Sequence, residues 1–87
     1  MALTEMIRQR LSTLEPQQLE ILDDSALHAG HAGNRGGGHY TIRITSLHFS
    51  RKSPIMRHRL IYQALSDLIP NQIHALSIVA IAPDDPK

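Results

Sequence analysis

Between residues 25 and 38 the chain cannot hold a regular element. All five of its glycines, Gly30, Gly33 and the run Gly36–Gly37–Gly38, fall in that interval. Each glycine inside a helix or strand costs about 1 kcal/mol relative to alanine through lost backbone freedom. The interval is therefore expected to be a flexible His/Gly-rich loop of about fourteen residues, long against the few-residue connections usual in small domains; loops of that length carry function or are disordered. Its position forces the chain to fold as two stretches that must find each other across it.

The first stretch begins with Leu3, Met6, Ile7, Leu11 and Leu14 at three- and four-residue spacing, which predicts an amphipathic helix over 3–14 with Thr4 as its cap and Pro16 closing it. Arg8 and Arg10 are expected on its solvated face. Leu19–Glu20–Ile21–Leu22–Asp23–Asp24 alternates and predicts a strand. Beyond the loop, Tyr40, Ile42 and Ile44 alternate with Thr41, Arg43 and Thr45, a second strand with one apolar and one polar face. Two strands joined this way form an antiparallel hairpin.

Ser53–Pro54 reads as a helix start, serine capping and proline at the first helical position. Met56, Leu60, Ile61, Ala64, Leu65, Leu68 and Ile69 predict its buried stripe, with the helix running to about Leu68 and Pro70 ending it. Arg57 and Arg59 are expected to face solvent, and His58, on the side of Ile55, Tyr62 and Leu65, to be half-buried. Asn71–Gln72 is expected to be a turn, or part of one helical turn. Ile73 to Ile81 predicts a third strand whose near-continuous apolar character suits coverage by helices. The crossover makes it parallel to the second strand. The fold class is thus α+β in the order α-β-β-α-(α)-β, a three-stranded mixed sheet with helices packed on one face. Residues 1–82 form one domain and 83–87 a frayed tail.

At 87 residues there is room for one core, and one Phe, two Tyr and no Trp make that core aliphatic. Stacking platforms for bases are scarce. A formal charge of +1 gives no broad field for nucleic acid or acidic membrane, so any basic surface is local. The absence of cysteine removes a disulfide scaffold and thiolate-bound zinc. No apolar run reaches a membrane span of ~18 residues and the first residues lack a signal-peptide core, so a cytoplasmic protein is expected, with no membrane partner.

Six histidines are the chemically unusual supply. By residue type alone His74, at the mouth of a strand, reads as a structural histidine, His58 as a packing residue, His39 as one that orients its neighbours and His48 as surface. His28 and His31 read as loop polarity or a weak metal site. Asp23 and Asp24 point to opposite faces of a strand and suit a turn better than acid/base chemistry. Gly33–Asn34–Arg35–Gly36 spells the GxxG that clamps a nucleic-acid backbone in KH domains, but it stands between strands and lacks the required helices. No nucleophile elbow or phosphate-binding loop is present, so no enzyme is expected. Arg51, Lys52, Arg57 and Arg59, with His58 among them, gather at the start of the main helix and could meet phosphate or a protein partner.

Across nearly its whole length the chain resembles the BolA family. The residues that carry the resemblance are Leu14–Glu15–Pro16, the His/Gly loop, His39–Tyr40, Arg57–His58–Arg59–Leu60–Ile61–Tyr62–Gln63–Ala64–Leu65, and Ile73–His74–Ala75–Leu76–Ser77–Ile78. The resemblance implies a class II KH-like fold and a heterodimer with a monothiol glutaredoxin. In that heterodimer a [2Fe-2S] cluster is shared among the glutaredoxin's cysteine, a glutathione thiol and two histidines of the BolA-like chain. It implies His74 as one ligand and a loop histidine as the other, with His31 the best match and His28 the runner-up. Iron in such clusters accepts imidazole in place of thiolate, which raises the reduction potential. No cluster is expected to stay tightly bound to the isolated chain, itself expected as a monomer or weak homodimer. The role implied is iron–sulfur trafficking or iron sensing. The family also includes transcriptional regulators of stress or morphology genes, which makes DNA the alternative partner, through the basic helix start.

Overall fold

The computed structural model describes residues 2–24 and 38–86. The expected loop, with His28, His31 and the GxxG of residues 33–36, lies outside the described residues, Gly38 excepted. Helix α1 spans Leu3–Leu11 and tightens into a 3-10 turn over Ser12–Leu14. Strands β1 (Gln18–Asp23) and β2 (Gly38–Thr45) follow, then a 3-10 turn over Leu47–Phe49, helix α2 (Pro54–Ala64) and strand β3 (Ile73–Ile81).

The sheet has the order β1-β2-β3, with β1 antiparallel and β3 parallel to the central β2. This is the mixed α+β arrangement expected. Tyr40, Ile42 and Ile44 of β2 are buried, flanked by partly buried Leu19 and Ile21 of β1 and Leu76, Ile78 and Ala80 of β3. Ile7 and Leu11 of α1, Phe49 and Ile61 complete the core with Leu65 and Leu68. Each such side chain withdrawn from water contributes about 1.5–3 kcal/mol. Ser46, the one buried polar side chain among the described residues, fastens three segments. Its hydroxyl donates to the Leu14 carbonyl (2.5 Å) and accepts from the His48 amide (3.0 Å), while its own amide donates to the Ile81 carbonyl (2.9 Å).

Several expectations need correction. Ala2, not Thr4, holds the α1 cap position, and no side chain caps it. Ser53 does cap α2, accepting from the Met56 amide at 3.2 Å with Pro54 behind it. However, α2 ends at Ala64 rather than near Leu68. Hydrogen bonding there changes to three-residue turns, Ser66 to Gln63 and Leu68 to Leu65, which leave both Leu65 and Leu68 buried without a continuous helix. The optional second helix is a run of turns reaching Gln72. Strand β3 is covered on one face only: Ser77 and Val79 are exposed between the half-buried Leu76, Ile78 and Ala80. Arg10 is not simply solvated but pairs with Asp67 at 2.8 Å, joining α1 to the turns after α2.

The C-terminal residues expected to fray carry much of the side-chain bonding. Arg57 is turned inward rather than to solvent: its guanidinium donates twice to Asp85, each at 2.7 Å, and once to the Ala80 carbonyl at 3.1 Å. Its Nε donates to the Lys52 carbonyl at 2.9 Å, and the Ser50 hydroxyl donates to Asp84 at 2.6 Å. Arg57, and then the Ala82 amide, hold the Asp85 carboxyl down at about 2. A folded-state value below the ordinary ~3.9 means the pairing contributes fully above that value and is lost as pH falls toward 2. The melting temperatures of the wild type and Asp85→Asn are therefore expected to differ at pH 5 and to converge on acidification to pH 2. A gap that stayed constant over that window would show that Asp85 ionisation is not linked to folding.

Candidate functional site

The end of the sheet where β2 begins and β3 begins is built by one irregularity. Gly38 pairs with Ile73, yet the next residue, His39, pairs with Ala75. His74 is thus the extra residue of a bulge in β3, and bulges re-aim the side chain they carry. The burial pattern records the change of phase: Ile73 is buried, His74 and Ala75 are both exposed, and Leu76 returns inward. Without the extra residue Leu76 would fall on the open face. Gly38 belongs to the same device, because a Cβ there would run into the buried Tyr40 ring.

The bulge brings His74 beside His39 on β2, with ring centroids 5.4 Å apart and planes at 54°. His39 is half-buried and His74 exposed. Next to them Asp24 closes β1: its amide donates to the His39 carbonyl at 2.7 Å and its carboxylate accepts from the Thr41 hydroxyl at 2.5 Å. Burial raises the Tyr40 hydroxyl's pKa, and Asp23, opposite it in the ladder, raises it further. Tyr40 is therefore kept protonated and unavailable as an anionic ligand, and the nitrogen donors at this end are the two imidazoles. Among the described residues no group of three or more His, Cys, Asp or Glu side chains comes together to hold a metal.

Of the residues singled out in the sequence, His74 stands at this site and His31 and His28 lie outside the described residues. His58 is exposed, not half-buried, and shares an exposed face of α2 with Ile55 and Tyr62. Arg51, Lys52 and Arg59 are exposed around the start of α2, whereas Arg57 is withdrawn into its pairing with Asp85. His48 is exposed and lies 3.0 Å from a Glu15 carboxylate oxygen. His39, read from the sequence as orienting its neighbours, is the residue that the structure sets beside His74. The signal was available in the three-residue step from Ile73 to Leu76, which breaks the strict two-residue period of a strand and marks a bulge at His74.

A mixed three-stranded sheet with two helices on one face and an imidazole carried at a bulge defines a small α+β domain whose reactive groups stand at one end of the sheet. The family model for the BolA-like protein matches residues 11–85, and the chain belongs to the BolA family. It is 46% identical over 84 residues to the SufE-like protein 1, chloroplastic/mitochondrial, of Arabidopsis thaliana, covering 88% of this chain and 23% of that protein. It is 33% identical over 75 residues to the DNA-binding transcriptional regulator BolA of Vibrio cholerae, covering 85% of this chain and 69% of that protein. The solved structure of BolA1 from Arabidopsis thaliana superposes with a TM-score of 0.83 at 36% identity, covering 99% of this chain and 98% of that one. The chain thus spans under a quarter of the first relative's length and about two thirds of the second's. Among the described residues no helix is long and apolar enough to cross a membrane.

Proposed function

We propose that this chain is an adaptor that docks a monothiol glutaredoxin and supplies imidazole ligation to a [2Fe-2S] cluster bridging the two proteins, in iron–sulfur trafficking or iron sensing. The observation that carries the reading is His74, exposed at the bulge that opens β3 with a second imidazole, His39, beside it. Neutral imidazole is a donor that cluster iron accepts, and an exposed, part-built ligand set suits a site completed by another molecule. The glutaredoxin's cysteine and glutathione supply the remaining ligands, which fits a chain without cysteine. His31, with His28 behind it, remains the proposed loop ligand.

Mixing the chain with a monothiol glutaredoxin, glutathione, iron and sulfide tests this. Visible absorption and circular dichroism are expected to change from those of glutaredoxin alone, and His74→Ala is expected to return the glutaredoxin-alone spectrum. A spectrum indifferent to this chain, or to His74→Ala, sinks the reading.

Two features favour a second reading, DNA binding: a relative named a DNA-binding transcriptional regulator, and the exposed Arg51, Lys52 and Arg59 around the start of α2. Arg57 contributes nothing to such a patch while it holds Asp85. Three phosphate contacts predict a logarithmic salt slope of about −3, well short of that of dedicated repressors. Fluorescence anisotropy with a duplex between low and moderate salt checks it. Arg51→Ala and Arg59→Ala are each expected to reduce the slope by about one; absent or salt-insensitive binding removes this reading.

A further inference from the structure

We infer that His39 and His74 form a two-imidazole chelate for a single borderline divalent transition ion, Zn2+ above all, in the isolated chain. This goes beyond the cluster reading, since it requires neither glutaredoxin nor glutathione and makes His39 itself a ligand, where that reading places the second ligand in the loop.

The spacing is the first ground. With zinc–nitrogen bonds of about 2.0–2.1 Å, ring nitrogens about 1.1 Å from the ring centre and a tetrahedral angle of about 109°, two imidazoles on one ion stand with centroids about 5.2 Å apart. The observed separation is 5.4 Å, with the rings tilted by 54° rather than stacked. The second ground is the rigidity of the platform. His39 sits in the central strand, in register with Ala75 and with its carbonyl accepting from the Asp24 amide, and His74 is held between Ile73 and Ala75, both in register with β2. Gly38 donates its amide to the Gln72 carbonyl at 2.9 Å, which fixes the backbone immediately before both histidines. Little backbone freedom remains to be lost on binding. The third ground is the donor chemistry: imidazole suits zinc, copper and nickel. Among the described residues no third ligand joins the pair, so the proposed site is the two imidazoles alone.

A second ligand held at the right distance raises affinity by about a hundredfold over one ligand alone. Titration of the isolated chain with Zn2+ by calorimetry is therefore expected to give one ion per chain. His39→Gln and His74→Gln are each expected to weaken binding by about a hundredfold, and the double variant, which leaves neither imidazole, to abolish binding at this site. Ring-nitrogen NMR shifts of both histidines are expected to move together at the same Zn2+ level. His48→Gln, at an exposed histidine beside Glu15, is expected to leave the affinity unchanged. Far-UV circular dichroism of the metal-free variants reports whether each retains the fold. The inference is overturned if wild type and His39→Gln bind alike, if His48→Gln loses binding while His39→Gln keeps it, or if the wild type takes up no ion. None of these results bears on the glutaredoxin spectrum, so the two readings fail separately.

Discussion

Phe49→Ala is expected to remove about 3–5 kcal/mol of folding stability, the largest loss of any single truncation in this core. Phe49 is the chain's only phenylalanine and is fully buried, in the 3-10 turn between β2 and α2. The ring belongs to the same buried cluster as Ile42 and Ile44 of the sheet and Ile61 of α2, and a one-turn element has few backbone bonds of its own to hold it in place. Domains of this size have about 0.05–0.15 kcal/mol of stability per residue, so the loss approaches the whole margin. With a shift of about 4–8 °C per kcal/mol for domains of 60–100 residues, the midpoint is expected to fall by on the order of 15 °C or more. Phe49→Leu, which keeps most of the volume, is expected to cost less than about 1.5 kcal/mol. Thermal denaturation followed by far-UV circular dichroism decides it; an alanine variant melting within a few degrees of wild type would place the core's anchor elsewhere.

That residue also marks a boundary of what the sequence could tell. The strand over Tyr40 to Thr45 and the Ser53–Pro54 helix start were legible because period and capping are local properties, written in adjacent residues. So was the order of elements, since a hairpin followed by a crossover leaves few mixed sheets to choose from. Phe49 in a short turn and Ser46 fully buried were not, because no period marks a single side chain used as a plug or a buried hydroxyl used as a pin. The tightening after Ala64 was hidden for a related reason: Leu65 and Leu68 suit a helix by spacing, and turns serve their burial as well.

Charge was read least well. Arg57 and Arg59 are equivalent by composition, yet one is folded against Asp85 and the Ala80 carbonyl while the other stays exposed. The difference rests on contacts 23 and 28 residues away in the chain, which periodicity cannot report. The same limit applies to His39 and His74. Their meeting depends on a one-residue shift between parallel strands, and the sequence carries only its shadow in the Ile73-to-Leu76 step.

Replacing His74 with cysteine separates ligation from mere proximity. On the proposed reading, a thiolate at this position still holds cluster iron, so His74→Cys is expected to retain a bridged cluster where His74→Ala loses it. The electronic consequence has a definite sign. Thiolate donates more charge to iron than imidazole does, and centres with two imidazoles in place of two thiolates run from about −150 mV upward against about −400 mV for all-thiolate plant-type centres. One exchange is therefore expected to lower the potential by on the order of 100 mV. Because the wild-type chain has no cysteine, the new thiol is unique, and its rapid reaction with a thiol reagent in the isolated chain would register the exposure of position 74 independently of any cluster. Loss of that reactivity on assembly with glutaredoxin, iron, sulfide and glutathione, together with the lower potential in a redox titration, is the result expected. A bridged cluster with an unchanged potential and a thiol that stays reactive would mean that residue 74 stands near the iron without binding it.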